Sequence, residues 1–278
     1  MAILFASLSS LVYGSADFVG GIVARRNHGV VVAIVSQFFG LLALGVALAV
    51  WPHVQVSGGD LAWGLLAGLG GGGGLALFYP ALGKGPMSIV APLTALMSAV
   101  IPMVVGFATG DRPSAPALVG ALLALPAIVL VARESGSHGK VELSTVLDCL
   151  GASAGFGLFY VALSRTSVHA GLWPLAAARI ASLSLLGGLC LVARRSPRPA
   201  TGSLAIIAGV GVFDMAANAL YLLAATRGLL SLVSVVGSLY PAGTVVCAVV
   251  FLRERLLAAQ VLGLLLAGLA VSLVALGA

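Results

Sequence analysis

Ten apolar runs of about twenty residues, separated by short polar breaks, account for nearly all of this sequence. They fall at 3–24, 30–51, 61–80, 87–109, 115–132, 146–165, 171–193, 203–224, 229–251 and 256–276. About 20 apolar residues wound as α-helix cross the hydrocarbon core of a bilayer. No water reaches that core to satisfy a backbone left in any open form. The runs therefore predict an all-α membrane protein with ten transmembrane helices.

Composition excludes the alternatives. Of 278 residues 60% are hydrophobic and only 8% are charged, against about a quarter in a soluble domain. So few charges cannot clothe a water-facing surface. The formal charge of +6 sits at the breaks between runs, where basic residues anchor and orient helix ends. No basic stripe interleaved with aromatics is present, so no nucleic-acid partner is expected. Cys149, Cys190 and Cys247 lie inside apolar runs without metal-ligand spacing and read as packing residues. His28, His53, His138 and His169 all fall in connectors, so no metal site is expected. No nucleotide-binding, paired-acid or nucleophile motif is evident, so neither an enzyme nor a cofactor is expected. Arg25 and Arg26 follow the first run rather than precede it, which reads as a retained first helix and not a cleaved signal peptide.

Sliding the sequence against itself gives a gapless register at an offset of 143 residues. Gly14 meets Gly157, Gly45 meets Gly188, Gly68 meets Gly211, Gly85 meets Gly228, Ser88 meets Ser231 and Gly120 meets Gly263. The charges at the breaks agree as well: Lys84 with Arg227, Asp111 with Glu254, Arg112 with Arg255. The organisation that follows is a first five-helix repeat at 1–135, a connector at 136–143 and a second repeat at 144–278. Five is odd, so two similar halves joined in series lie upside down relative to each other. Inverted repeats of this kind build many secondary transporters, with the site near the midplane between the halves.

Three stretches then carry a family likeness. Tyr13-Gly14-Ser15 lies in the first run. The run Ala81-Leu82-Gly83-Lys84-Gly85-Pro86-Met87-Ser88-Ile89-Val90-Ala91-Pro92-Leu93 joins the third and fourth, and is echoed from Ala224 to Val233. Phe251-Leu252-Arg253-Glu254-Arg255-Leu256 precedes the tenth. In order and spacing the chain resembles the EamA-type branch of the drug/metabolite transporter superfamily, where Trp-Gly-Ser and Gly-Glu-Arg occupy the first and last of these places. The resemblance implies a ten-helix carrier of small metabolites or drugs, often directed outward. The chain departs from the pattern at Asp17, where apolar or amide residues are frequent, and at Gly110-Asp111-Arg112.

An ionised side chain at the bilayer centre costs about 2.5–3.5 kcal/mol on insertion scales, so charges inside the runs need a partner, a wet cavity or a proton. Asp17, Arg179 and Asp214 are the candidates. Asp17 shares a helix face with Ser10, Tyr13, Gly14 and Gly21 and lies about 12 Å from Arg25 along the axis. It reads as a proton site or as a charge paired near the helix end. Asp214, Asn218 and Tyr221 line one face of the eighth run, offering a carboxylate, an amide and a phenol to one volume. Arg179 either pairs with Asp214 or binds a substrate anion. Gln37 bonds substrate or a neighbouring helix. Tyr79 and Tyr160 are further candidate ligands, or else packing aromatics near span ends. The candidate substrate contacts are thus Tyr13, Asp17, Gln37, Tyr79, Tyr160, Arg179, Asp214, Asn218 and Tyr221, with Asp17 and Asp214 the candidate proton-coupling carboxylates.

Six glycines occupy seven positions from Gly68 to Gly74, which reads either as a hinge or as close helix packing. Pro92, Pro102 and Pro241 each remove a backbone donor and invite a kink. Small faces on the fourth and ninth runs (Ser88, Pro92, Ala95, Ser98; Ser231, Ser234, Ser238, Pro241) suit helices that rock past their neighbours. Ten of the 14 Lys and Arg fall on one side of the predicted topology and three on the other. The positive-inside rule then places both termini outside the cytoplasm. The expected function is a secondary carrier in a bacterial cytoplasmic membrane, exporting small metabolites such as amino acids or related polar or amphipathic compounds by alternating access, with protons as a candidate drive. The alternatives are a multidrug or cationic-compound exporter, or a non-transport membrane scaffold.

Overall fold

A computed structural model describes residues 1–24, 26–27, 29–50, 54–84, 87–132, 142–192, 198–253 and 255–277, with backbone alone at 79, 82–84, 87–89 and 91–92. All ten runs are helical and no strand occurs among the described residues. The helices are α1 (Ala2–Ala24), α2 (Gly29–Val50), α3 (Gly58–Lys84), α4 (Met87–Ala108), α5 (Ala115–Val131), α6 (Leu143–Ser164), α7 (Trp173–Val192), α8 (Leu204–Ala225), α9 (Leu230–Gly237), α10 (Tyr240–Leu252) and α11 (Ala258–Gly277). Eight spans are long and apolar enough to cross a membrane, and two shorter apolar helices, at Leu93–Ala108 and Ala115–Val131, complete the ten.

One segment differs from expectation. The ninth run is not one helix but two, α9 and α10, separated by a turn at Ser238 and Leu239. Pro241 is the physical reason: it has no N–H to return to Gly237, and its ring would collide with that carbonyl in a continuous helix. Pro102, by contrast, lies in α4, which runs unbroken.

The two repeats interlock. α3 packs on α6 and α7, its counterpart α8 packs on α1 and α2, and α5 packs against α11. α1 lies along α9 and α10 as α6 lies along α4. Every one of these contacts joins one half of the chain to the other. They form because small residues let backbones meet. On α5, Ala117, Ala121, Ala124, Ala127 and Ile128 are fully buried at helical spacing; they face Ala267, Ala270 and Val274 of α11 in one core. Gly68 sits directly on the backbone of Ala178, and its repeat mate Gly211 on the backbone of Ser36. The glycine run of α3 is unbroken helix, seated on α6 and α7.

Two polar latches tie connectors across the halves. Asp60 accepts a 2.7 Å hydrogen bond from the Ser167 amide, and Gln55 N–H bonds the His169 carbonyl at 3.0 Å. At the opposite end of the bundle, Asn27 donates to Ser203 Oγ at 3.1 Å and accepts from the Ala200 amide at 2.7 Å.

Candidate functional site

Helix periodicity decides what converges. A spacing of four puts Tyr13 and Asp17 on one face of α1, and spacings of four and three put Asp214, Asn218 and Tyr221 on one face of α8. Because α8 packs against α1, the two stripes meet. α7 adds Arg179 and, one turn on, Ser182.

Arg179 and Asp214 form an ion pair, Nη2 to Oδ2. Asn218 Nδ2 donates to the Asp214 carbonyl at 2.7 Å and to its Oδ2 at 3.2 Å. Of the two roles open to Arg179, pairing with Asp214 is the one observed. Gln37 accepts a hydrogen bond from Ser182 Oγ, which ties α2 to α7, so Gln37 serves a neighbouring helix.

Asp17 is different. Its surface is exposed, yet it lies deep among protein atoms and within electrostatic reach of Asp214, Tyr160 and Tyr240. No hydrogen-bond or ion-pair partner reaches it among the described residues.

Two pairs of aromatic rings pack near these polar groups. Tyr160 and Tyr221 have centroids 4.4 Å apart, and Tyr13 and Tyr240 lie 6.5 Å apart with rings tilted by 58°. Tyr221 is fully buried and its hydroxyl has no hydrogen-bond partner, as is true of the buried Ser238 hydroxyl in the α9–α10 turn. All eight residues of α9 are buried. With the Tyr160–Tyr221 pair they fill the end of the bundle where α1 starts, whereas Asp17 lies toward the end where α1 finishes.

Of the nine residues expected from sequence, eight are described side chains, and the Tyr79 side chain lies outside the described residues. Tyr13, Asp17, Tyr160, Asp214 and Tyr221 gather with Arg179 and Asn218. Two members were missed. Tyr240 heads α10, and the signal for it was Leu239-Tyr240-Pro241, a helix break with an aromatic at its lip. Ser182 was signalled only by its place three residues after Arg179. A separate pocket of about 200 Å³ lies where α4, α6 and α8 end, lined by Thr109, Asp111, Ser164, Arg165, Ala225, Gly228 and Leu230. It holds none of the expected site residues.

The sequence matches the EamA-like transporter family over residues 1–133 and again over 143–276. The chain belongs to that family. EamA proteins are membrane transporters of small molecules rather than enzymes, and the two matched stretches are the two interlocked repeats. A search of curated proteins finds no match. Among solved structures 29 chains match. One of them, described as a crystal structure of a protein, is similar with a TM-score of 0.78 at 19% identity, over 99% of this chain and 96% of that one. At that identity the likeness concerns the fold alone. This EamA chain is an integral membrane protein whose central polar residues all come from helices that pack across the repeat boundary.

Proposed function

We propose that this EamA chain is a secondary carrier that exports a small amphipathic metabolite by alternating access, with Asp17 as the carboxylate that takes up and releases a proton. The observation that carries this reading is Asp17 itself, an exposed carboxylate on α1 within electrostatic reach of Asp214 and without a hydrogen-bond or ion-pair partner among the described residues. Asp214 already has Arg179 and Asn218, so its charge is compensated. Asp17 has neither, and a carboxylate so placed needs a proton, a cation or water.

Closure at one end supports the carrier reading over a pore. The buried α9 and the paired tyrosines seal the side where α1 begins, and Asp17 lies toward the other. In an inverted repeat the opposite state follows when the halves exchange roles. The excess of Lys and Arg on the Asp17 side supports a cytoplasmic placing for it, which is the loading side of an exporter. Substrate contacts are assigned to Tyr13, Asp17, Tyr160, Asp214, Asn218, Tyr221 and the added Tyr240, with Arg179 holding Asp214 and Gln37 holding α7.

The test is counterflow of a metabolite panel by the purified chain in liposomes, with and without a pH gradient, beside Asp17→Asn and Asp214→Asn. Wild-type protein is expected to exchange a subset of the panel and to accumulate it against a gradient when protons flow the other way. Asp17→Asn should abolish the response to the gradient. A folded wild-type protein that exchanges nothing would sink the carrier reading. An unaltered gradient response in Asp17→Asn would sink the role given to that residue.

A further inference from the structure

At the end of the bundle where α1 starts, α4, α6 and α8 finish around a pocket of about 200 Å³ that the candidate site does not use. Its lining carries both signs of charge, with Asp111 just after α4 and Arg165 just after α6. Asp111 Oδ2 takes the Ser231 amide at 2.8 Å, which leaves Oδ1 open among the described residues. Thr109 Oγ1 and Ser164 Oγ donate to the carbonyls of Gly106 and Val161 at 3.3 and 2.7 Å. Each hydroxyl has thus spent its proton and keeps its lone pairs. Arg165 is exposed, and its guanidinium has no hydrogen-bond or ion-pair partner among the described residues. The backbone N–H groups of Gly228 and Leu230, in the turn into α9, are in the same condition.

That inventory fits one kind of guest. A primary ammonium has three donors and no acceptor, and a guanidinium likewise only donates. The acceptors of Thr109, Asp111 and Ser164 therefore match an ammonium, while Arg165 and the two amides match an anionic oxygen. A simple anion would meet Asp111 and a simple cation would meet Arg165, whereas a group bearing both charges finds a partner for each. A quaternary ammonium has no N–H to give the three acceptors. The position matters as well. Three spans stop here, which is the depth at which headgroups replace hydrocarbon. Arg165 lies two turns on from Leu158, along an exposed apolar face of α6 that includes Leu147 and Leu150. In a bilayer that face meets lipid. The offset of 143 puts Gly21 and Ile22 in the places of Ser164 and Arg165, so the pattern is not repeated at the other end of the bundle.

We infer that this pocket binds a zwitterionic phosphodiester with a primary ammonium, the chemistry of an ethanolamine phospholipid headgroup and of its free glycerol diester. The ammonium is held by Thr109, Asp111 and Ser164, and the phosphate by Arg165 with the amides of Gly228 and Leu230. Because Asp111 also holds the first turn of α9 through Ser231, a bound headgroup links the ends of α4 and α6 to α9. The site is separate from the residues assigned to substrate and does not rest on the carrier reading.

The experiment is native mass spectrometry of the full chain in detergent, titrated with lysophosphatidylethanolamine, lysophosphatidylcholine, lysophosphatidylglycerol and glycerophosphoethanolamine. The ethanolamine lipid is expected to bind at least about tenfold more tightly than the choline lipid, which lacks N–H donors, and than the glycerol lipid, which lacks the cation. Arg165→Gln and Asp111→Asn should each cut that preference to about threefold or less. Arg165→Gln removes no side-chain contact among the described residues, and asparagine at 111 keeps an acceptor for the Ser231 amide, so both variants are expected to fold. Unchanged melting temperatures check this, and if Asp111→Asn does not fold, Arg165→Gln decides alone. Glycerophosphoethanolamine competing as strongly as the lipid would identify the soluble diester as the ligand, and failing to compete would identify the lipid; either result supports the zwitterion site. The inference is overturned if the choline or glycerol lipid binds as tightly as the ethanolamine lipid, or if the ethanolamine preference survives the substitutions. Counterflow by a chain that shows no such preference would remove this inference and leave the carrier reading standing.

Discussion

α3 and α8 hold equivalent places in the two repeats, and they have been put to different uses. Each crosses into the other half, α3 onto α6 and α7, α8 onto α1 and α2. Each keeps a glycine at the crossing, Gly68 on Ala178 and Gly211 on Ser36. Beyond that glycine they diverge. Where α8 carries Asp214, Asn218 and Tyr221, the offset of 143 gives Gly71, Leu75 and Phe78 on α3. α3 spends its length on backbone contact, with Gly70 set against the Gly155 carbonyl and Gly74 against Phe156. The scaffold is therefore duplicated and the chemistry is not.

The sharpest way to break this comparison is to strip α8 of its charge partner. Arg179→Leu leaves Asp214 without its cation, and breaking a buried ion pair costs about 3–5 kcal/mol. About 3 kcal/mol is expected here, because the Asp214 side chain is 32% exposed and water recovers part of the loss. The double variant Arg179→Leu/Asp214→Leu should regain most of that stability, since apolar replacement of both partners is often neutral. It should also become as apolar at this level as α3. Thermal unfolding of the purified variants reads both, and a double variant no more stable than the single would show that the pair was not the cause.

The fold was far more legible in the sequence than the site was. Apolar runs, the offset of 143 and the odd helix count follow from the bilayer and need no tertiary knowledge. Asp214, Asn218 and Tyr221 could be grouped because they share one helix. What faces them could not be read, because it depends on which helices cross. Thus Arg179 had two open roles until α7 and α8 were seen together, and Gln37 until Ser182 was found opposite. Tyr240 is hidden for a different reason: an apolar run shows no break of its own, and only the turn at Ser238 and Leu239 puts residue 240 at the head of a helix. The glycine run had two readings that only its packing on α6 and α7 could separate.

The same two helices can be compared at their crossing glycines. A Cβ at position 68 or 211 would strike the backbone of Ala178 or Ser36, and backbone yields less readily than a side-chain tip. Gly68→Ala and Gly211→Ala are each expected to destabilise by about 1–3 kcal/mol, the range for overpacking a close contact. Gly73→Ala is the control: nothing lies within 4 Å of a Cβ there, and alanine is the better helix former by up to about 1 kcal/mol. Matching losses at 68 and 211, with none at 73, would establish that the two repeats use one joint. A loss at 68 alone would mean that α8 is held by its polar face instead.

The smallest effect, and the most local, concerns the turns that end α4 and α10. After α4, Gly110 has a φ of 112°. The Gly110 and Asp111 amides bond the carbonyls of Phe107 and Gly106 at 3.3 and 2.9 Å, a Schellman cap. That turn aims the Asp111 carboxylate at the start of α9, where it accepts from the Ser231 amide at 2.8 Å, and lets Arg112 cap the Phe107 carbonyl at 3.3 Å. In the second repeat the matching residue is Arg253, which takes a φ of 56°, a left-handed conformation that disfavours any residue with a Cβ by about 1–2 kcal/mol. Glycine would relieve that strain while adding about 0.5–1 kcal/mol of unfolded-state entropy to be lost. Arg253→Gly should therefore raise stability by about 0.5 kcal/mol, and Arg253→Asn, which tolerates the same region, should fall between. Gly110→Ala should lower stability by about 1–2 kcal/mol. If Arg253→Gly instead destabilised the protein while Arg253→Lys did not, the charge and not the backbone would be what the second repeat needs at this turn, and the two turns would be related in position only.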